Sequence, residues 1–390
     1  MMMTTRSKKN KTTVTTNPQT SSSYDVLPLD LLIEILGRLP VKSIARFLLV
    51  SKLWARTIRS RDFIKSFPLG SCSSQPRFLT ALSAVDREGY MDKEDWYFFS
   101  SSSLLSRSCP LPNSYQRIPY RSHYVKGLLC IGCGQEQFLV NPTTGKSTAL
   151  PRVRTRRKTT QSFFGYDSVN DEYKVLCMTE ALHGPNSRGP SSQHQVFTLG
   201  DKKKSWRMVQ CSIPHRPYSN SVCMDDVIYY AAKTGTERSV MRFDLRSEKF
   251  HLVTGVPTEF ELFQYDMIIN YQGKVAIPTQ TPAYTFDVWV MDQDAEEHNW
   301  LKKLTFSVEP WKKLFNCSFV HIKGITQTTG EFILAPYYYK SSDVYVVLYN
   351  HYADTFRKIK VQGNAKYDFI MRNHLPGIFI SDYIESVRFL

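Results

Sequence analysis

The chain of 390 residues carries 50 Lys and Arg against 35 Asp and Glu, a formal charge of +15, and 42% of it is hydrophobic with 13% aromatic. That apolar content excludes wholesale disorder, and the length accommodates two or three domains at roughly 100–200 residues each. No apolar run reaches the ~20 residues of a membrane helix, and no apolar stretch follows the basic Arg6, Lys8, Lys9 and Lys11, so neither a spanning helix nor a secretory signal is expected. A transit peptide is disfavoured because the Thr-rich N-terminus has no amphipathic apolar face. Eight cysteines are too sparse for a disulfide framework, and an intracellular setting, nucleus and/or cytoplasm, is the expectation.

The chain divides into three by composition. Residues 1–24, rich in Thr, Ser, Lys and Asn, read as a disordered tail. Residues 25–70 read as a helical module. In Pro28 to Leu39, Leu29, Leu32, Ile33 and Leu36 fall at i, i+3, i+4 and i+7 on one face, while Leu31, Ile35 and Leu39 cover a second. Pro40 ends this helix. A second is expected from Val41 to Val50, with Ile44, Phe47, Leu48 and Leu49 apolar. A third starts at the N-cap Ser51 and carries Leu53, Trp54 and Ile58 towards Phe63 and Phe67. Three short helices are near the lower limit for independent folding, yet they are apolar on more than one face. The reading is an adhesive module that completes its core against a partner. A three-helix bundle packed on its own β-domain is the bland alternative.

The run Leu27-Pro28-Leu29-Asp30-Leu31-Leu32-Ile33-Glu34-Ile35-Leu36-Gly37-Arg38-Leu39-Pro40, followed by Val50-Ser51-Lys52-Leu53-Trp54, closely resembles the F-box motif. In that family the module binds an acidic Skp-type adaptor, which joins it to a cullin ubiquitin ligase. By position, the resemblance implies adaptor-facing roles for Leu27, Pro28, Leu31, Ile35, Leu36, Leu39, Pro40, Ile44, Val50, Ser51, Lys52 and Trp54. Phe47-Leu48-Leu49 departs from the Phe-basic-Cys usual in plant-type members, which is expected to tighten or reorganise the helix interface there. Eight basic residues against three acids between 27 and 67 suit an acidic partner, by steering encounter more than by adding affinity.

From residue 75 to 390 short alternating apolar runs punctuated by Gly, Pro, Asn and Asp read as an all-β domain. One hairpin pattern recurs, with turn-opening anchors at Asn141, Gly200, Asp244, Asp292 and Asn350, a spacing of roughly 50 residues like that of kelch-type propeller blades. With a divergent unit around Phe78 to Phe99, the fold class is α+β multidomain: a small three-helix module followed by an all-β domain, a β-propeller of about six blades. The strand-like Tyr383 to Val387 is expected to close the ring; a two-sheet sandwich is the disfavoured alternative. Asn141 to Lys146, Phe164 to Asp167, Asp171 to Val175, Trp206-Arg207 and Asn270 to Lys274 also resemble the landmarks of the F-box-associated domain, which the family uses for substrate recognition.

No reactive constellation stands out. Cys130-Ile-Gly-Cys133 lacks the second ligand pair of a zinc site and is read as two strand cysteines. The nine His are scattered, with His183 and His194 flanking a Gly/Pro/Ser loop. No catalytic residue, metal site or cofactor is therefore expected. Arg154, Arg156 and Arg157 in the densest basic run, with Lys202 to Lys204 as another, are candidates for an anion-reading client surface, against the blander reading of solvated loops. The expected function is a non-catalytic substrate receptor of a Skp-cullin-F-box ubiquitin ligase, whose partners are the adaptor, through it a cullin, and an unidentified client. A propeller enzyme, a basic nucleic-acid-binding protein and an adaptor-binding pseudo-receptor are the rivals. No membrane partner is expected.

Overall fold

The computed structural model describes residues 27–67, 78–85, 94–100, 108–111, 121–133, 135–180, 190, 193–256, 268–281, 284–292, 299–315, 320–336, 344–360, 378–380 and 383–388. The expected 1–24 tail and the 68–77 junction lie outside the described residues.

Four helices, not three, form the N-terminal module: α1 (Leu29–Gly37), α2 (Val41–Phe47), α3 (Lys52–Ile58) and α4 (Arg61–Ser66). The apolar spacing carries through Ser51 to Phe67, but Ser60 divides it. Its backbone is extended and its Oγ accepts from Phe63 N at 3.2 Å, capping a new helix. Ser51 caps α3 in the same way, accepting from Trp54 N at 3.2 Å. The second helix also stops earlier than expected, at Phe47, and Leu48 to Val50 form a turn. Leu32, Leu36, Val41, Ile44, Ile58, Phe63 and Phe67 make the core of the module, and Val387 from the far end of the chain completes it.

The remaining strands build six four-stranded antiparallel sheets. Sheet 1 holds β1 (Leu79–Val85), β2 (Glu94–Ser100) and β3 (Ser108–Leu111). Sheet 2 is β4 (Arg121–Val125), β5 (Leu128–Cys133), β6 (Glu136–Asn141) and β7 (Lys146–Ala149). Sheet 3 is β8 (Lys158–Asp167), β9 (Glu172–Glu180), β10 (Gln193–Thr198) and β11 (Arg207–Val209). Sheet 4 is β12 (Arg216–Met224), β13 (Val227–Thr234), β14 (Glu237–Asp244) and β15 (Phe250–Val253). Sheet 5 is β16 (Ile269–Tyr271), β17 (Lys274–Thr281), β18 (Thr285–Asp292) and β19 (Asn299–Ser307). Sheet 6 is β20 (Val320–Ile325), β21 (Phe332–Pro336), β22 (Tyr345–Asn350) and β23 (Thr355–Lys360). The last strand, β24 (Ile378–Ile380), returns to sheet 1 and pairs with β1, Leu79 opposite Ile380.

These sheets form a closed ring, because each hydrophobic cluster lies between neighbours. Leu139 and Phe164 join sheets 2 and 3, and Phe163 and Tyr230 join sheets 3 and 4. Tyr229 and Val275 join sheets 4 and 5, and Phe306 and Phe332 join sheets 5 and 6. Phe78 packs on Ile333 and Val346 of sheet 6, while Leu79 packs on Leu129 and Val140 of sheet 2, so sheet 1 closes the circle. The strand that does this is Ile378–Ile380, a correction to the expectation that Tyr383 to Val387 would. Tyr383, Ser386 and Val387 are instead buried beyond the sheet, against sheet 2 and the helices.

Each meander of sheets 2 to 6 begins with its inner strand, and β4, β8, β12, β16 and β20 contact one another around the middle. All five therefore run the same way. The connections between successive sheets gather at one end of the ring, and the turns that follow the inner strands gather at the other. This polarity gives the ring two distinct faces.

Candidate interaction surfaces

The helical module sits on the turn face, held by the C-terminal segment. Pro40 precedes α2 without offering a side-chain cap, and the Glu385 carboxylate supplies one, accepting from Val41 N at 3.1 Å. Fully buried Asn141, at the end of β6, donates from Nδ2 to the carbonyls of Ser386 (2.9 Å) and Arg388 (2.7 Å), while its Oδ1 accepts from Thr143 N (2.9 Å) and Thr144 N (3.3 Å). Tyr124 Oη donates to Ile384 O and accepts from Ile384 N. The C-terminal segment passes so close to Gly127, whose φ is +83°, that a Cβ there would meet Ser386 Cβ at 2.4 Å.

A second contact comes from α4. Arg61 Nε donates to Asp171 Oδ2 at 3.0 Å and its Nη2 to Asn170 O at 2.8 Å, both in the β8–β9 turn. Asp171 also receives Arg388 (3.0 Å) and the Tyr166 hydroxyl (2.5 Å). Burial pushes the Asp171 carboxyl up, but hydrogen bonds from Tyr166, Arg61 and Arg388 outweigh it and hold the group below the usual carboxylate range. A depressed folded pKa contributes stability above the unfolded value, and that contribution is lost as pH falls through the folded one. The contact is therefore expected to be indifferent to pH between roughly 5 and 8 and to loosen only below about 4. Hydrogen-exchange protection of the 61–66 amides, corrected for the pH dependence of intrinsic exchange, tests this: Asp171→Ala should lower it at neutral pH, as acid does in the wild type, and unchanged protection would refute the role.

With the module fixed by its inner side, its other side is left bare. Leu27, Leu29, Leu31, Ile35, Val50 and Leu53 are exposed and Leu49 is 90% exposed, a concentration of large apolar side chains that isolated surface residues do not explain. Of the residues expected to face an adaptor, Leu27, Pro28, Leu31, Ile35, Pro40, Val50, Ser51 and Lys52 are exposed, and Leu39 and Trp54 are half-buried. The Trp54 ring packs at 4.9 Å from that of Phe47, tilted by 44°. Leu36 and Ile44 are corrections: both are 0% exposed, inside the module's own core, and cannot face a partner. Leu29, Leu49 and Leu53 belong to the exposed set and were not among the expected residues. The Phe47-Leu48-Leu49 departure splits, with Phe47 and Leu48 against the core and Leu49 in solvent.

The basic run lies at the opposite end of the ring. Its loop connects β7 to the start of β8, beside the β5–β6 turn and the start of β10. Gln135 Nε2 donates to Thr155 O at 2.8 Å and Gln195 Nε2 to Arg154 O at 3.4 Å. Arg154 and Arg156 are exposed and Arg157 is half-buried. A pocket of about 500 Å³ is lined by Gln135, Pro151, Arg152, Val153, Arg154 and Thr155. Nearby, Glu180 is shared by Lys158 (3.6 Å) and Arg216 (3.1 Å), one acid between two cations. Lys202 to Lys204 sit in the β10–β11 turn, at the other end of sheet 3, so the two basic runs do not merge into one stripe.

Cys130 lies buried on β5, where burial pushes its thiol up, and Cys133 ends the same strand. A different group does come together. Ligand atoms of His194, Cys211 and His215 lie within 4.8 Å of one another. The sequence placed His194 only beside a loop and did not link it to Cys211 or His215, although Cys211-x-x-x-His215 was there to be seen. Burial pushes the His194 imidazolium down to about 4, with His215 adding to it, so the ring is neutral at physiological pH.

Comparison with known families agrees with this geometry. The F-box domain family matches residues 25–66, and the F-box associated beta propeller domain family matches residues 83–384. The chain belongs to the F-box family with an F-box-associated β-propeller. F-box protein At4g11590 of Arabidopsis thaliana is 49% identical over 384 residues, covering 94% of this chain and 94% of that one. F-box protein At1g47810 of the same plant is 36% identical over 353 residues, covering 81% and 97%. In this F-box chain, then, the helices of residues 29–66 are the F-box, and the sheet ring is the propeller that carries it.

Proposed function

We propose that this F-box protein is the substrate-recognition subunit of a Skp-cullin-F-box ubiquitin ligase and performs no bond chemistry itself. The observation that carries the reading is the polarity of the molecule. The F-box is anchored by its inner side to the turn face of the propeller, which leaves its apolar side free for a Skp-type adaptor. The inter-sheet loops, with the basic pocket, are on the far side and open to a client. An adaptor bound at one end and a client at the other are then held in one assembly, and tethering raises the effective concentration of client lysines at the conjugating enzyme. Fully burying an exposed leucine gains about 1.5–3 kcal/mol, so the apolar side as a whole, and not one residue of it, must offset the cost of association.

The client end reads anions. Arg154, Arg156 and Arg157 present guanidinium forks that match carboxylate and phosphate geometry in pairs. Charge reversal of these three to Glu should abolish retention of an acidic client and its ubiquitination in a reconstituted ligase, with adaptor binding unchanged. Full client ubiquitination by the reversed variant would remove the loop from the client site. The separation of the two basic runs on opposite ends of the ring works against the rival of a continuous nucleic-acid surface.

A further inference from the structure

The seam between sheets 3 and 4 holds a group of side chains that neither adaptor nor client binding uses. His194 comes from the start of β10, Cys211 from just past β11, and His215 from the residue before β12. Two backbone segments, the start of β10 and the β11–β12 connection, thus deliver two imidazoles and a thiol to one spot. His194 and His215 are buried, at 4% and 0% exposure, and Cys211 is half-buried. Cys211 Sγ lies 3.8 Å from His215 Nδ1, close to the sulfur–nitrogen separation of two ligands on one ion with bonds of about 2.3 and 2.0–2.1 Å. His194 Nε2 is buried without a hydrogen-bond partner, an expensive arrangement for a ring nitrogen. The two imidazole rings lie 5.3 Å apart and nearly parallel, at 16°, so a modest rotation about χ2 brings their lone pairs together.

We infer that His194, Cys211 and His215 form a buried site for a thiophilic closed-shell metal ion of the zinc(II) or copper(I) kind. Two neutral imidazoles and a thiolate are the donors that this class prefers over oxygen-seeking magnesium or calcium. On binding, the Cys211 S–H bond breaks, its proton leaves to solvent and the sulfur lone pair forms the metal bond. Without an ion, His215 Nδ1 donates its proton to Ile213 O at 2.8 Å; on binding, that hydrogen bond breaks, the ring takes the other tautomer by proton exchange with solvent, Nδ1 coordinates, and the Nε2 proton is donated to the Tyr230 hydroxyl at 2.8 Å. That outer hydrogen bond fixes the tautomer, as the partners of metal-bound histidines commonly do. The surroundings are dry: the Phe250 ring packs 4.9 Å from His194 and 5.8 Å from His215. A metal here would pin the connection from sheet 3 to sheet 4 on the face that meets the client, stabilising the loops without touching the F-box.

The test uses the full chain purified with its adaptor. Titration with cobalt(II) as the zinc probe should give a thiolate-to-metal band in the near ultraviolet, and copper(I) delivered from a competing chelator distinguishes the second ion. One ion per chain is expected, with a raised melting temperature. The band should vanish in Cys211→Ala, and Tyr230→Phe should weaken affinity roughly 10–100-fold. Absence of uptake of either ion by the folded wild type would overturn the proposal. So would equal uptake by Cys211→Ala, and because the first of these readouts is made on the wild type, a variant that fails to fold leaves the proposal open to refutation.

Discussion

Changing Leu31 and Ile35 together to Asp is expected to weaken capture of a Skp-type adaptor by at least ~100-fold while leaving the chain as stable as the wild type. Both side chains are exposed and outside the core cluster of the module, so their loss removes little packing from the folded chain. Apolar anchors at the centre of an interface each cost about 2 kcal/mol or more when truncated, and a buried unpaired carboxylate adds to that. Leu36→Ala makes the necessary contrast. Leu36 has no exposure, and its truncation should cost roughly 2–5 kcal/mol of stability through the cavity it leaves. Adaptor affinity per folded molecule should then be nearly unchanged. Urea unfolding and titration calorimetry on the two variants separate a binding role from a folding role. If Leu36→Ala impaired affinity of the folded chain more than the Asp pair did, the assignment of faces would be wrong.

The second large effect is expected at Asn141. Replacing it with Leu removes the side-chain partner of the Ser386 and Arg388 carbonyls and of the Thr143 and Thr144 amides. At about 1–3 kcal/mol for each buried group left unsatisfied, and allowing for relaxation, the loss should be ~3–5 kcal/mol. Asn350 stands at the same place in sheet 6 and caps its turn likewise, accepting from Tyr352 N and Ala353 N at 3.0 and 3.1 Å. It holds no C-terminal segment, so Asn350→Leu should cost only the cap, about 1 kcal/mol. The difference between the two unfolding free energies measures what the C-terminal segment contributes. Equal losses would show that Asn141 is a turn former and nothing more.

That pair also shows how far the sequence could be read. The five anchors, Asn141, Gly200, Asp244, Asp292 and Asn350, all fall at the end of the third strand of a sheet, because an Asn, Asp or Gly is what the following turn needs. Such local chemistry is visible in a sequence. That Asn141 alone reaches across to residues 386 and 388 is not, since the contact spans most of the chain and follows no period. The same limit explains the ring closure. Tyr383 to Val387 has strand-like residues, but Ile378–Ile380 has the register that places Ile380 opposite Leu79. In the F-box, helical spacing distinguished two apolar faces of α1 without saying which one is inside. Leu32 and Leu36 turned inward and Leu31 and Ile35 outward once α3, α4 and Val387 were in place. Ile44 went the same way. The split at Ser60 was legible in principle, as a cap residue three before Phe63, but the unbroken apolar spacing masked it. The basic loop was read correctly as a loop, and its place at the end of the ring away from the F-box required the strand directions.

Adaptor capture depends on the bare apolar side of the F-box. The most direct measurement is to mix the purified chain with a purified Skp-type adaptor and a cullin, and to weigh the product by size-exclusion chromatography with light scattering. The account predicts one stable complex with one copy of each, formed by the wild type and not by the Leu31→Asp/Ile35→Asp variant. A wild-type chain that elutes alone, folded and without the adaptor, would contradict it.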